Sequence, residues 1–275
     1  MIKMVAIDLD GTMYNSKKEI TQEVKDSIQR ITDSGVKTAI ITGRGMVGSE
    51  LALKQLNMDM PYICSAGALI RSGHNGKTLQ SWSFHSPDET AKVIWFALAN
   101  NIALLGETLN GTMIWYGATQ FFHEIDEKTQ KEIEIGRISD EPLIDFNVPL
   151  LKLTLSADTD VLRSAQSYIE KECPSLHPVI SGAHYIDITA QGINKGTGIK
   201  AFTEFLGFQP DEVAAIGDQE IDIYMLSYVG LPIAMENGVQ KVKEAALWIA
   251  PSNDQNGVAW ALDEIIKLNR KSYVN

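Results

Sequence analysis

Hydrophobic residues in this chain fall into short continuous runs that alternate with stretches of helical spacing. Residues 4–7 are uniformly apolar, the length and character of a strand buried on both faces. Ile20, Val24, Ile28 and Ile31 then recur every three or four residues, with Thr21 placed to cap that helix and Gly35 to end it. A second apolar run covers 36–42, a helical pattern 47–56, and a short strand 61–64. The alternation returns late, as a helix over 196–206, a strand over 213–216, a helix over 221–228 and a strand near 231–234. Strand and helix in turn predict an α/β fold. Its doubly wound parallel sheet is covered on both faces, and the two ends of the chain supply its halves.

The middle of the chain breaks this rhythm. Residues 68–84 read as strand, Asn75-Gly76 turn and strand, which is a hairpin pattern. Ser86-Pro87-Asp88-Glu89 then combines a cap, a first-position proline and an acid three residues after the cap, a strong helix start. Strands follow over 102–106, 113–117, 151–156 and 184–188, with helices near 119–133 and 158–172. These elements predict an inserted α/β unit over 84–188 that divides a first domain made of 1–83 and 189–275. Two chain crossings join the units, a geometry suited to hinge motion.

Charge narrows the range of partners. A net charge of −11 over 275 residues argues against a general affinity for nucleic acid or anionic membrane surfaces, both of which need a basic face. A phosphorylated small molecule would instead need a local cation, and no obligate protein partner is indicated. Cys64 and Cys173 are too few for a disulfide framework and read as small core residues of a protein in a reducing compartment. Only seven residues precede Asp8, too few for a signal peptide, so the expected location is cytoplasmic. The longest apolar stretch, 93–105, is shorter than a membrane span and is interrupted by Asn100 and Asn101.

The chemistry begins where the first apolar run stops, at Asp8-Leu9-Asp10-Gly11-Thr12. With a period of two, Asp8 and Asp10 leave the strand on the same side, a few ångströms apart. Two such anions are stable together with a cation between them or with one protonated, and either situation serves phosphoryl and acid/base chemistry. Counted as a calcium loop from Asp8, the string has Glu19 at the twelfth position but Met13 where the sharp turn requires glycine, which argues against that reading. Gly43-Arg44-Gly45-Met46-Val47-Gly48 follows a strand and opens a helix as a dinucleotide fingerprint does. However, Tyr62, Ile63, Cys64 and Ser65 stand where an acid should meet the ribose. Three further sites lie at strand ends or helix starts, which converge on one crevice in doubly wound folds. Thr42-Gly43-Arg44 offers a hydroxyl and backbone N–H groups to phosphate oxygens, and Lys195-Gly196 adds an ammonium. Gly217-Asp218-Gln219-Glu220-Ile221-Asp222 brings more carboxylates.

In that order these motifs resemble the haloacid dehalogenase superfamily of phosphatases, in the Cof-like branch. The stretch Ala234-Met235-Glu236-Asn237-Gly238 resembles the family's next segment. The resemblance implies a Rossmann-like core with an inserted α/β cap that selects substrate. It implies Asp8 as the nucleophile that becomes an aspartyl phosphate, and Asp10 as general acid and then base. It further implies Mg2+ held by Asp8, the Asp10 backbone carbonyl and Asp218, with Asp222 behind them. Thr42, Gly43 and Lys195 would hold the phosphoryl group. The chain departs from the family at Ile221, where an asparagine is usual, and at Ala66-Gly67-Ala68, where Asn-Gly-Ala is usual.

The resulting expectation is a Mg2+-dependent phosphatase of small phosphomonoesters, sugar phosphates foremost. A phosphomutase using the same carboxylates and a phosphometabolite-binding protein with vestigial activity are the rivals. For substrate contact the sequence offers Arg44 beside the phosphate loop and, in the cap, His184 and Tyr185. Trp115, Tyr116 and His123 are further aromatic candidates.

Overall fold

A computed structural model of the chain describes residues 1–109, 113–116, 148–182 and 184–272. β1 (Met4–Ile7) leads through a wide turn into α1 (Gln22–Asp33), β2 (Lys37–Ile41), α2 (Met46–Leu56) and β3 (Tyr62–Cys64). The predicted hairpin follows as β4 (Leu69–Arg71) and β5 (Thr78–Ser81). Next come α3 (Pro87–Ala99), β6 (Ala103–Thr108), β7 (Met113–Tyr116), β8 (Leu150–Ser156), α4 (Thr159–Glu172), β9 (Leu176–Gly182) and β10 (Tyr185–Ala190). The chain then returns as α5 (Lys195–Leu206), β11 (Val213–Gly217), α6 (Ile223–Leu226), β12 (Leu231–Met235), α7 (Gln240–Glu244), β13 (Trp248–Ala250) and α8 (Gly257–Ser272).

Two sheets result. The larger runs β13-β12-β11-β1-β2-β3-β4-β5, parallel from β13 to β3 and antiparallel through the hairpin. β1 sits at its centre, with Met4 opposite both Val213 and Lys37. Its side chains alternate between two apolar layers: Val5 and Ile7 pack with Ile28, Ile31 and Leu262, while Met4 and Ala6 pack with Ile199, Phe202 and Met225. That is why the run reads as continuously hydrophobic. The smaller sheet, β7-β6-β8-β10-β9, is antiparallel throughout. One of its faces packs Leu153, Leu155, Ile186 and Ile188 against Val93, Ile94, Leu162 and Ile169 of α3 and α4. The opposite face is polar and turns toward the larger sheet's loops.

Thr21 caps α1 by accepting from Val24 N–H, and Gly35 follows its end at φ 89°, as the sequence predicts. Three details differ. Glu89 does not return to the start of α3; its carboxylate instead accepts from the Ser175 N–H and hydroxyl and ties α3 to the turn before β9. The helix expected over 221–228 is divided into a 3-10 turn at Glu220–Asp222 and the short α6. The Asp222 carboxylate folds back to accept from the Asp218 and Gln219 N–H groups, which favours a turn over a continuing helix. β9 was not among the expected strands, and Pro178 lies inside it. As the outermost strand it tolerates a residue that donates no ladder hydrogen bond.

β10 runs to Ala190, so the expected division at 188/189 falls within it. The helix predicted near 119–133, with His123, lies outside the described residues. Cys64 and Cys173 are free and buried. No described helix is long and apolar enough to cross a membrane.

Candidate active site

The loop after β1 is a wide turn over Leu9–Met13 in which Gly11 adopts φ 76°. A Cβ on Gly11 would sit 2.8 Å from the Asp218 Cγ, so this position needs glycine for both backbone and space. The turn keeps Asp8 buried at the strand end and carries Asp10 to an exposed position. The spacing left open a cation between the two carboxylates or a proton on one; among the described side chains they meet different cationic groups. Asp8 Oδ1 accepts from Lys195 Nζ at 2.6 Å, and Asp10 takes a bidentate contact from Arg44 at 2.6 and 2.5 Å. Arg44 is itself laid over the Tyr14 ring at 5.0 Å.

Lys195, the first residue of α5, is buried and also donates to Asp222 Oδ1 at 2.5 Å. Asp222 is fully engaged, since its other oxygen accepts the Asp218 and Gln219 N–H groups, both at 2.9 Å. Asp218 accepts from the Thr12 hydroxyl at 3.0 Å and from the Gln219 amide at 3.1 Å. One carboxylate oxygen from each of Asp8, Asp218 and Asp222 lies within 4.8 Å of the others.

The charges in this cluster do not cancel. Three buried carboxylates face a single ammonium, a surplus of two negative charges. Burial is the largest influence on Asp8 and raises it. Lys195 opposes, Asp222 and Asp218 add to the rise, and the net lies well above the usual carboxylate value. Burial and the Asp222 charge push Asp218 up to about 7 against its hydrogen bonds. Burial alone would depress Lys195, but Asp222 and Asp8 outweigh it and hold the ammonium above its ordinary value. At Asp10, partial desolvation is outweighed by the Arg44 hydrogen bonds and charge, which hold its carboxyl below the usual range. A hard divalent cation fits the Asp8–Asp218 side of this cluster: the donors are all oxygens and the surplus is two charges. Asp222, with both oxygens engaged, fits behind it.

The Thr42 hydroxyl is buried and accepts the Arg44 N–H at 3.0 Å, which leaves its proton for another acceptor. The Gly43 carbonyl accepts from Lys152 of β8. Ser65, Ala66 and Gly67, after β3, all adopt positive φ, at 51°, 56° and 104°. There the Ala66 N–H reaches the Thr42 carbonyl, and a Cβ on Gly67 would collide with the Asn194 backbone. Ala66 and Ile221 are both buried and bring no side-chain hydrogen bond to the site, as the sequence implies.

In the smaller sheet, His184 is exposed at the turn entering β10 and Tyr185 is half-buried at its start. Trp115 and Tyr116 lie in β7, opposite Leu105 and Leu104. Glu107, Lys152 and Asp187 are buried on the polar face and went unread in the sequence. For Lys152 a signal was available: Lys152 and Thr154 alternate with Leu151, Leu153 and Leu155, a charged position within a strand.

Residues 5–262 match the family described as haloacid dehalogenase-like hydrolase. The chain is 28% identical over 293 aligned positions to the 5-amino-6-(5-phospho-D-ribitylamino)uracil phosphatase YwtE of Bacillus subtilis, with 96% of this chain and 98% of that protein covered. A haloacid dehalogenase-like hydrolase of Bacteroides thetaiotaomicron superposes with a TM-score of 0.81 at 24% identity, over 96% of this chain and all of the other. The subclass IIB sugar phosphatase BT4131 superposes at 0.79 and 20% identity, over 96% and 98%. The fold, the motif order and the span of the match agree: this chain belongs to the haloacid dehalogenase-like hydrolases.

Proposed function

We propose that this phosphatase is Mg2+-dependent and hydrolyses small phosphomonoesters through an aspartyl phosphate on Asp8. The observation that carries the reading is the buried, over-charged cluster of Asp8, Asp218 and Asp222 around Lys195, with a second carboxylate, Asp10, at its mouth.

In the first displacement Asp8 attacks phosphorus, the bond to the leaving alcohol breaks, and the proton of Asp10 passes to that oxygen. In the second, Asp10 takes a proton from water, the water oxygen attacks phosphorus, and the Asp8–phosphorus bond breaks to release orthophosphate. Arg44 bears on both steps. Paired with Arg44, Asp10 is a carboxylate, the form the second step needs; the first step requires that contact to loosen while Asp10 holds its proton. Lys195 steers Asp8 through one N–H and keeps a further donor for a phosphoryl oxygen, and the Thr42 hydroxyl is a second such donor. Asp8, Asp218 and the Asp10 main-chain carbonyl would hold Mg2+, which supplies positive charge against the transferring group. Residues 84–188 act as the substrate-selecting cap, with His184 and Tyr185 at its approach.

Sugar phosphates and 5-amino-6-(5-phospho-D-ribitylamino)uracil, the latter the substrate for which the YwtE phosphatase is named, are the substrates to try first. The test is phosphate release from these and from p-nitrophenyl phosphate, with Mg2+ or EDTA, by wild type and Asp8→Asn. Metal-dependent release lost in the variant supports the reading. An inactive wild type whose melting temperature still rises with phosphorylated ligands overturns it in favour of a binding protein.

A further inference from the structure

The glycines of Thr42-Gly43-Arg44-Gly45 look like those of a loop shaped for phosphate, yet Gly45 has φ −75° and ψ −177°, a conformation open to any residue. Gly43 likewise does not take a positive φ. Their reason is spatial. A Cβ on Gly45 would overlap the Glu107 carboxylate, 2.6 Å from its Cδ, and one on Gly43 would lie 3.0 Å from Asp187 Oδ2. Both carboxylates belong to the smaller sheet.

Each is seated by several bonds. Glu107 Oε1 accepts the Met46 N–H at 2.8 Å, in the first turn of α2, where Gly45 offers no side-chain cap. Its Oε2 accepts the Ser65 hydroxyl at 2.8 Å. Lys152 Nζ donates to the Gly43 carbonyl at 2.5 Å and pairs with Asp187 at 2.8 Å, while Asp187 also accepts from Thr154 at 2.8 Å. Glu107, Lys152 and Asp187 are buried on the adjacent strands β6, β8 and β10. The phosphate loop is thus gripped at its carbonyl side by Lys152 and at its helix side by Glu107.

We propose that Glu107 and Lys152, with Asp187, are positioning residues through which the smaller sheet orders the 42–46 loop, and that Gly43 and Gly45 are kept free of side chains to admit them. Seating the cap and shaping the phosphate loop are then one event. The kinetic part of this inference rests on the reading that residues 42–46 hold the phosphoryl group; the structural part does not.

The test is a double-mutant cycle on Gly45→Ala and Glu107→Ala with a compensating pair, Gly45→Ala with Glu107→Asp. It is read by amide hydrogen exchange at residues 42–46 and by kcat and KM for p-nitrophenyl phosphate. Gly45→Ala is expected to speed exchange of the Met46 amide and to lower kcat/KM about tenfold, equivalent to about 1.4 kcal/mol. Added to Glu107→Ala it should cost nothing further, since the obstructing carboxylate is gone. The shorter aspartate should restore part of both readouts, which loss of general stability would not. Additive losses, or unchanged exchange at Met46 in both single variants, would overturn the proposal. Exchange decides the question even where wild type releases no phosphate.

Discussion

Two buried charged clusters lie on either side of the Thr42–Met46 loop, and they differ in how their charge is met. Around Lys195, three carboxylates share one ammonium, and Asp8 and Asp218 are forced far from their ordinary protonation. Around Lys152, Asp187 is matched by one ammonium, and the remaining carboxylate, Glu107, is satisfied by neutral donors, the Ser65 hydroxyl and the Met46 N–H. The first arrangement stores electrostatic tension that a cation and a phosphoryl group can relieve. The second is closed on itself and serves to hold one sheet against another. Buried charge therefore points to chemistry here only where donors and acceptors fail to balance.

The comparison breaks most sharply at Asp8, the proposed nucleophile. Asp8→Asn is expected to lower phosphate release at least ~1000-fold, measured as initial rates under saturating Mg2+. Glu107→Gln should leave most of that activity in place. Equal losses would erase the distinction.

The lysines come next. Lys195→Met leaves buried carboxylates without a counter-charge and should cost about 3–5 kcal/mol in urea unfolding with EDTA present. Lys152→Met should cost roughly half as much, because Asp187 keeps the Thr154 hydroxyl. A larger loss at Lys152 would reverse the assignment of roles.

The pH dependence of stability carries the same contrast. A carboxyl raised by folding penalises the native state as pH climbs from the unfolded value near 4 through the folded one, here about 7 for Asp218. In EDTA the melting temperature should therefore fall from pH 5 to pH 8 by more in wild type than in Asp218→Asn. Mg2+ should raise it more at pH 8 than at pH 5. Asp10, held low by Arg44, has the opposite sign, but its window lies below about pH 4. A wild-type curve no steeper than that of the variant counts against the over-charged cluster.

The smallest expected effect is at Ala66, whose φ of 56° suits glycine. Ala66→Gly should gain up to ~1 kcal/mol, read as a higher urea midpoint, without altering the Lys152 cluster.

Much of this was legible in the chain. The apolar runs at 4–7, 36–42 and 213–216 mark strands because each, apart from the exposed Lys37, is buried on both faces, and Asp8, Thr42, Lys195 and Asp218 each stand where such a strand ends or a helix begins. Asp10 was legible as a residue but not as a geometry. Its partner Arg44 is 34 positions away, and only the folded turn brings the two together. Glu107 and Asp187 were illegible for a related reason: nothing in their own strands reports that two glycines in a distant loop have been emptied to receive them. Ser86-Pro87 does open α3, but Glu89 bonds Ser175 instead of returning to the helix start, a partner beyond the reach of a short-range rule.

The central place of β1 has a consequence for how the protein is made. Its neighbour β11 is encoded about 200 positions later. At a ribosomal pace of about 5–20 residues per second, β1 waits on the order of ten to forty seconds for that partner. Meanwhile β8, β9 and β10, consecutive strands in the chain, emerge with their pairing partners close behind. The nascent chain thus carries a wholly apolar strand with one side unpaired until β11 has emerged, an interval in which that strand edge is open to pairing with other chains.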